Sequence, residues 1–194
     1  LDLTKFGNII KEIRRYYPVS DSSIEELLSH LKVRHYPKNH LLAQTGATDN
    51  HVYFIEEGCA RTFFFTGNTE VTNWFSTEGD ITFSSTSLYH ALPALEFVQL
   101  LEDSLIYQMP IEALNKLYET NIEIANWSRV IHQEALLKMQ NLRLDRLSLS
   151  AKERYEKFVI ENSGLIGRVN LGFIASYLGM TQQHLSSLRA EVRF

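Results

Sequence analysis

The stretch Leu171-Gly-Phe-Ile-Ala-Ser-Tyr-Leu-Gly-Met-Thr-Gln-Gln-His-Leu-Ser-Ser-Leu-Arg189 decides how the chain is read. It divides at Gly179 into two helical segments. Ile174 and Leu178 lie four apart on the first, and Leu185 and Leu188 three apart on the second, so each segment has one apolar face at helical spacing. Ala175 is small where two crossing helices would approach, and Gly179 stands where a tight turn calls for a positive φ. Met180 fills the gap between the segments, and the Thr181 hydroxyl can cap the second. This is the pattern of a helix-turn-helix. An ordinary helical hairpin with a polar outer face has the same spacing, so the motif alone is degenerate.

The second helix of such a motif enters the major groove of DNA. After Thr181, its outward residues are Gln182, Gln183, His184, Ser186, Ser187 and Arg189. Glutamine bonds the adenine edge through two atoms, serine reaches a base or a phosphate, and arginine suits guanine or phosphate. Lys152, Arg154, Lys157 and Arg168 are the cations nearby that could hold phosphates. Arg189 is the only basic residue of the reading helix, few for a surface that meets a polyanion.

Charge supports a separate C-terminal module. Residues 1–142 carry 11 basic and 18 acidic side chains, whereas residues 143–194 carry 8 and 5. A net charge of −4 over 194 residues therefore hides a basic tail on an acidic body. A chance excess on a solvated surface gives the same numbers.

Upstream of the motif, no glycine or proline occurs between Pro110 and Gly164, so the segment reads as helical. Ile124, Trp127, Ile131, Ala135 and Leu142 fall near one stripe of a long helix that ends at Ser148–Ser150. Such a helix packs on its own domain or pairs with a partner helix, and Glu134 and Lys138 interrupt a regular heptad.

Further upstream the texture is β-rich. Val33–Tyr36, Val52–Ile55, Ala60–Phe65, Val71–Phe75, Phe97–Leu101 and Ser104–Met109 are short runs punctuated by Glu57-Gly58, Gly67-Asn68 and Glu78-Gly79-Asp80. They predict a sandwich, jelly roll or barrel, with Phe63, Phe64, Phe65, Trp74 and Phe75 filling its interior. Two short helices precede it, one carrying Phe6, Ile9, Ile10 and Ile13, the other opening on a capping box at Ser22 and Glu25.

In this order the elements resemble the Crp/Fnr family of regulators over nearly the whole chain. Ile174-Ala-Ser-Tyr-Leu-Gly-Met-Thr181, with Leu185-Ser186 and Arg189, is similar to Bacteroidetes-type members. Val52-Tyr-Phe-Ile-Glu-Glu-Gly58 resembles the family strand that ends in a glycine turn, and Trp74-Phe75 with Glu78-Gly79-Asp80 resembles the approach to its phosphate-binding cassette. The resemblance implies an α+β fold. An N-terminal double-stranded β-helix (jelly roll) with flanking helices occupies residues 1–110. A long dimerisation helix covers 111–147, and a winged-helix-like helix-turn-helix covers 148–194. It implies a homodimer that meets double-stranded DNA in successive major grooves, RNA polymerase as a further partner, and an effector pocket at Trp74, Asp80, Phe83, Ser84 and Ser85.

Family members that bind cyclic AMP continue the cassette with a second glycine, a glutamate for the ribose hydroxyl and later an arginine for the phosphate. Here Ser84 stands about where the glutamate belongs, and Pro93-Ala-Leu-Glu96 where the arginine belongs; no arginine occurs between Arg61 and Arg129. Cyclic AMP is not expected to bind in the usual way, and the effector is unknown. One cysteine, Cys59, is too few for an iron–sulfur cluster or an internal disulfide. Seven histidines suffice for haem ligation, but scattered histidines ordinarily serve structure or face solvent.

Two other function classes compete. Cupin-like metalloenzymes need a His-x-His pair, and here His51 is followed two residues later by Tyr53, with His90 far away; no enzyme, metal or cofactor is expected. An effector-binding or protein-interaction module that has lost DNA binding would also explain the uncharged reading helix. The opening residues Leu1-Asp-Leu-Thr-Lys-Phe6 lack a signal-peptide pattern, and no apolar run reaches membrane-spanning length, so a cytoplasmic address without membrane contact is expected.

Overall fold

Period-two apolar alternation makes the β-runs strands with two usable faces. The computed structural model describes residues 2–191. It contains β1 (Lys32–Tyr36), β2 (Leu41–Ala43), β3 (His51–Glu57), β4 (Ala60–Thr66), β5 (Thr69–Ser76), β6 (Ile81–Thr82), β7 (Phe97–Leu100) and β8 (Ser104–Pro110). They form two four-stranded sheets, ordered β1-β8-β3-β6 and β2-β7-β4-β5. The chain changes sheet at every connection except the β4–β5 hairpin, which is jelly-roll topology. The sequence reading anticipated six strands and missed β2 and β6, which are too short to show a period.

β3 is buried on both faces. Val52 and Phe54 join a core with Ile9, Ile13, Ile24, Leu27, Met109, Leu114 and Trp127, while Tyr53 and Ile55 join a second with Val98, Leu100 and Ile106. Burying a side chain such as Phe54 stabilises the fold by about 1.5–3 kcal/mol. Of the aromatics expected inside the roll, Phe63 and Phe75 are buried, Phe64 and Trp74 are half-buried, and Phe65 is exposed.

Between Ile55 and Glu57 the register against β8 shifts, leaving Glu56 as the extra residue of a bulge. Its buried carboxylate reaches the start of α1 (Gly7–Tyr16): Oε1 accepts from Asn8 N–H at 2.9 Å and Oε2 from Ile9 N–H at 3.2 Å. α1 has no side-chain cap from Phe6, the residue before it, so Glu56 supplies one from 48 residues away. α1 also lies on the turn before β6. At Gly79, φ is +87°, and a Cβ there would stand 2.8 Å from the Asn8 carbonyl and 2.6 Å from the Glu12 Cβ.

α2 (Asp21–Ser29) starts two residues earlier than the expected box. Ser20, not Ser22, is its cap, accepting from Ser23 N–H, because Ser20 is also held by the Glu123 carboxylate. After β6 come α3 (Ser85–His90), α4 (Ile111–Thr120), α5 (Ile122–Ser148), α6 (Ala151–Glu161), α7 (Leu171–Leu178) and α8 (Gln182–Glu191). The long helix expected over 111–147 is thus two helices. Asn121 leaves helical geometry, and its side-chain Oδ1 accepts from Glu123 and Ile124 N–H to start α5 afresh.

The chain forms two compact units. One holds the residues up to Thr62 together with Phe75–Glu134; the other holds Phe63–Trp74 and the residues from Ala135 onward. After β8 no strand occurs among the described residues, so between 111 and 191 there is no wing; a wing following α8 would lie outside the described residues.

Candidate nucleic-acid interface and cassette

In the second unit, Asn170 opens α7 by accepting from Gly172 N–H at 2.7 Å. α7 closes at Gly179, φ +70°, where Met180 N–H reaches the Ala175 carbonyl at 3.0 Å and Gly179 N–H the Ser176 carbonyl at 3.1 Å. This is the glycine-terminated helix end that a side chain with a Cβ adopts poorly. Thr181 Oγ1 then accepts from His184 N–H at 3.2 Å and starts α8. Ile174, Ala175, Leu178, Leu185 and Leu188 are buried, and Met180 is half-buried. Gln182, Gln183, His184, Ser186, Ser187 and Arg189 are all exposed, as is Thr181. Gln182 leans back on α7: a Cβ at Gly172 would meet its Oε1 at 2.8 Å.

The cations near the motif divide differently from what the sequence suggests. Arg154 donates from Nε to the Leu178 carbonyl at 3.1 Å and from Nη1 to the Leu149 carbonyl at 2.7 Å. Lys157 pairs with Asp145 at 2.6 Å, and that hydrogen bond raises its pKa. Arg146, which the sequence reading passed over, donates to the Tyr177 carbonyl. Arg154 and Arg146 therefore terminate α7, and Arg154 and Lys157 are spent on folding the module. Burial pushes the Tyr177 hydroxyl up to about 12, so it stays protonated.

In the first unit, the turn before β6 is braced from within. Asp80 Oδ2 accepts from Thr77 N–H at 2.8 Å, and Gly79 N–H reaches the Ile55 carbonyl at 2.7 Å. Ser84 is buried, with Oγ 3.4 Å from the Thr86 hydroxyl. At the start of α3, Glu96 Oε1 accepts from both Ser85 N–H, at 2.8 Å, and Ser85 Oγ, at 2.9 Å. Ser87 Oγ donates to the Leu92 carbonyl and accepts from Asp49 N–H. Phe83 packs edge-on to Tyr89 and against His132 of α5. Burial pushes the Tyr89 hydroxyl up to about 12. The His132 Nδ1 lies 2.6 Å from the Ser128 carbonyl, and its buried Nε2 has no hydrogen-bond partner. Asp80, Phe83, Ser84 and Ser85 thus share one segment, but their polar groups bond within the chain. Trp74 belongs to the second unit, where its ring lies under Lys138 Nζ, 4.6 Å from the centroid. Tyr89 and His132 escaped the sequence reading as cassette neighbours, whereas Glu96, read there as standing in the segment of the missing arginine, is held by Ser85.

Residues 33–121 match the cyclic nucleotide-binding domain. Solved structures extend the likeness over the rest of the chain. FixK2 from Bradyrhizobium japonicum has a TM-score of 0.74 at 16% identity, covering 83% of each chain. A protein assigned to the Crp/Fnr family of transcriptional regulators, from Eubacterium rectale, gives 0.70 at 15% identity, covering 91% of this chain and 87% of that one. The catabolite activator protein of Thermus thermophilus gives 0.59 at 18% identity, covering 93% and 85%. At these identities the likeness is one of fold, shared with a protein assigned to the Crp/Fnr family. No curated protein sequence matches the chain.

Beside the cyclic nucleotide-binding domain, α5 departs from the expected stripe. Ile124 and Trp127 are fully packed in the chain's own core, so neither is open to a partner helix. Ile131, Ala135 and Leu142 are half-buried. Apart from Ile122 at its start, the open large apolar side chains of α5 are Leu136, Leu137, Met139, Leu144 and Leu147, between 51% and 75% exposed. Among the described residues no helix is long and apolar enough to cross a membrane, and no group of three or more His, Cys, Asp or Glu is placed to hold a metal ion. His51 Nδ1 stands 3.9 Å from the Asp49 carboxylate.

Proposed function

We propose that the protein is a homodimeric, DNA-binding transcription regulator of the Crp/Fnr type whose cassette does not take cyclic AMP in the usual way. The observation that carries this is the α7–Gly179–α8 turn, which buries Leu185 and Leu188 and leaves Gln182, Gln183, His184, Ser186, Ser187 and Arg189 exposed together. Those side chains are suited to base edges in a major groove. Dimerisation is assigned to the far half of α5. Leu137 and Leu144 lie seven apart, with Leu147 three further, a heptad seam left more than half open by the described residues.

The cassette's bonding supports an effector other than a cyclic phosphate, since the Ser85 donors already hold a carboxylate and no arginine lies near in sequence. RNA polymerase is the further partner that the family likeness suggests. Selection of bound genomic fragments, followed by mobility shifts at several salt concentrations, tests DNA reading directly. A specific shift that weakens with salt supports it.

One observation favours the second reading, a module that no longer reads DNA: Arg154 and Lys157 are committed inside the fold. The absence of a shift with every genomic fragment would select it.

A further inference from the structure

β5 is the outer strand of its sheet, so its open side presents main-chain groups with no strand beyond them. One side chain takes two of these groups. Ser176 Oγ on α7 accepts from Thr72 N–H at 2.9 Å and donates to the Glu70 carbonyl at 3.1 Å. Those groups flank Val71 on either side, the pair that a rung of an added strand would engage. A single hydroxyl, which both donates and accepts, thus stands in for a rung. Thr72 is fully buried there. Two residues on, Trp74 lies under Lys138 of α5. Within the second unit the hairpin therefore grips α7 through Ser176 and α5 through Lys138.

α7 and α8 share one small core and a closed turn, so what displaces α7 displaces α8. We propose that Ser176 is a positioning residue that couples the β4–β5 hairpin to the reading helix, so that engagement of DNA by α8 and the order of the hairpin are linked. The proposal rests on the DNA-reading role given above. Linkage works both ways: whatever loosens the hairpin weakens DNA binding, and bound DNA steadies the hairpin.

The test is amide hydrogen exchange on the full chain, comparing wild type with Ser176→Ala and Ser176→Thr, the second retaining a hydroxyl. Without DNA, S176A is expected to speed exchange at Thr72 about tenfold, with S176T near wild type and the α1 amides unchanged in all three. With a DNA fragment selected from genomic DNA, residues 63–74 of wild type are expected to slow at least about threefold, those of S176A not at all, and the affinity of S176A to fall about three- to tenfold. Unchanged exchange at Thr72 in S176A overturns the clamp. A hairpin that ignores bound DNA in wild type, or responds equally in S176A, overturns the coupling. If wild type binds no fragment, the DNA-reading role fails and takes the coupling with it, while the Thr72 comparison still decides the clamp.

Discussion

Glu96 holds both hydrogen-bond donors of Ser85 on one carboxylate oxygen, the main-chain N–H at 2.8 Å and the hydroxyl at 2.9 Å. The donors that open α3 therefore already have an anion, supplied by the chain. Replacing Glu96 with alanine should lower stability by about 1 kcal/mol, since the bonds are charge-assisted but solvent-exposed. It should not create cyclic AMP binding, because no arginine between Arg61 and Arg129 supplies a fork for the phosphate. Calorimetry with wild type and variant checks both; micromolar binding of cyclic AMP by either would sink this account of the cassette.

Gly79→Ala should be costly. It forces a Cβ onto a residue at φ +87° and against the Asn8 carbonyl, which is backbone and cannot swing aside. The expected loss is about 2–3 kcal/mol in urea unfolding. A variant as stable as wild type would mean that α1 does not rest on this turn.

The reading helix makes a sharper claim. Gln183→Ala and Arg189→Ala should each remove about 1–3 kcal/mol of specific DNA affinity while leaving circular dichroism unchanged. With Arg154 and Lys157 committed elsewhere, the salt dependence should be shallow, with a log–log slope weaker than about −5. Affinity for a selected operator that survives both substitutions would take these residues off the readout surface.

Leu137→Glu combined with Leu144→Glu should convert a dimer into a 22.4 kDa monomer in light scattering. Like charges would then face one another across the seam. An unchanged dimer mass would place the interface on another surface.

Asp49 gives a pH prediction. Its Oδ1 accepts from His51 N–H and the Tyr53 hydroxyl, but its buried Oδ2 has no partner. Burial raises its carboxyl above the usual carboxylate range. The folded state then favours the protonated form, so the stability tied to this group is present at acid pH and lost as pH rises through the raised value. Asp49→Asn should therefore be at least as stable as wild type at pH 7, and lose that relative standing as pH falls into the carboxylate range. Stability curves that run parallel from pH 4 to pH 7 would contradict this.

Much of this fold is legible in the sequence where a pattern is long enough to have a period. β3, β8 and the α7–α8 pair declare themselves through alternation, helical spacing and Gly179. Short β2 and β6 do not, because two or three residues carry no period. Asn121 was hidden by a helical context without glycine or proline, yet its side chain competes with the main chain and ends α4. The exposed face of α8 follows from spacing alone. The cassette was less legible, since whether Glu96 repels a ligand or satisfies Ser85 depends on a tertiary contact. The two ends of the expected α5 stripe part for a similar reason: Ile124 and Trp127 look alike as partner-facing or core residues until the neighbouring Phe54 is seen. The fate of Arg154 likewise turns on where the carbonyls at the end of α7 lie.

The bonds at Asn121 have a mechanical consequence. Besides starting α5, its Nδ2 donates to the Ser23 hydroxyl and the Glu26 carboxylate, and Glu123 two residues on grips Ser20. The origin of a helix about 40 Å long is thus bolted to α2. A helix fastened at its first turn cannot ratchet along its own axis, which would need a slide of about 5.4 Å per turn. Twist and bend are the freedoms that this fastening leaves to the helix.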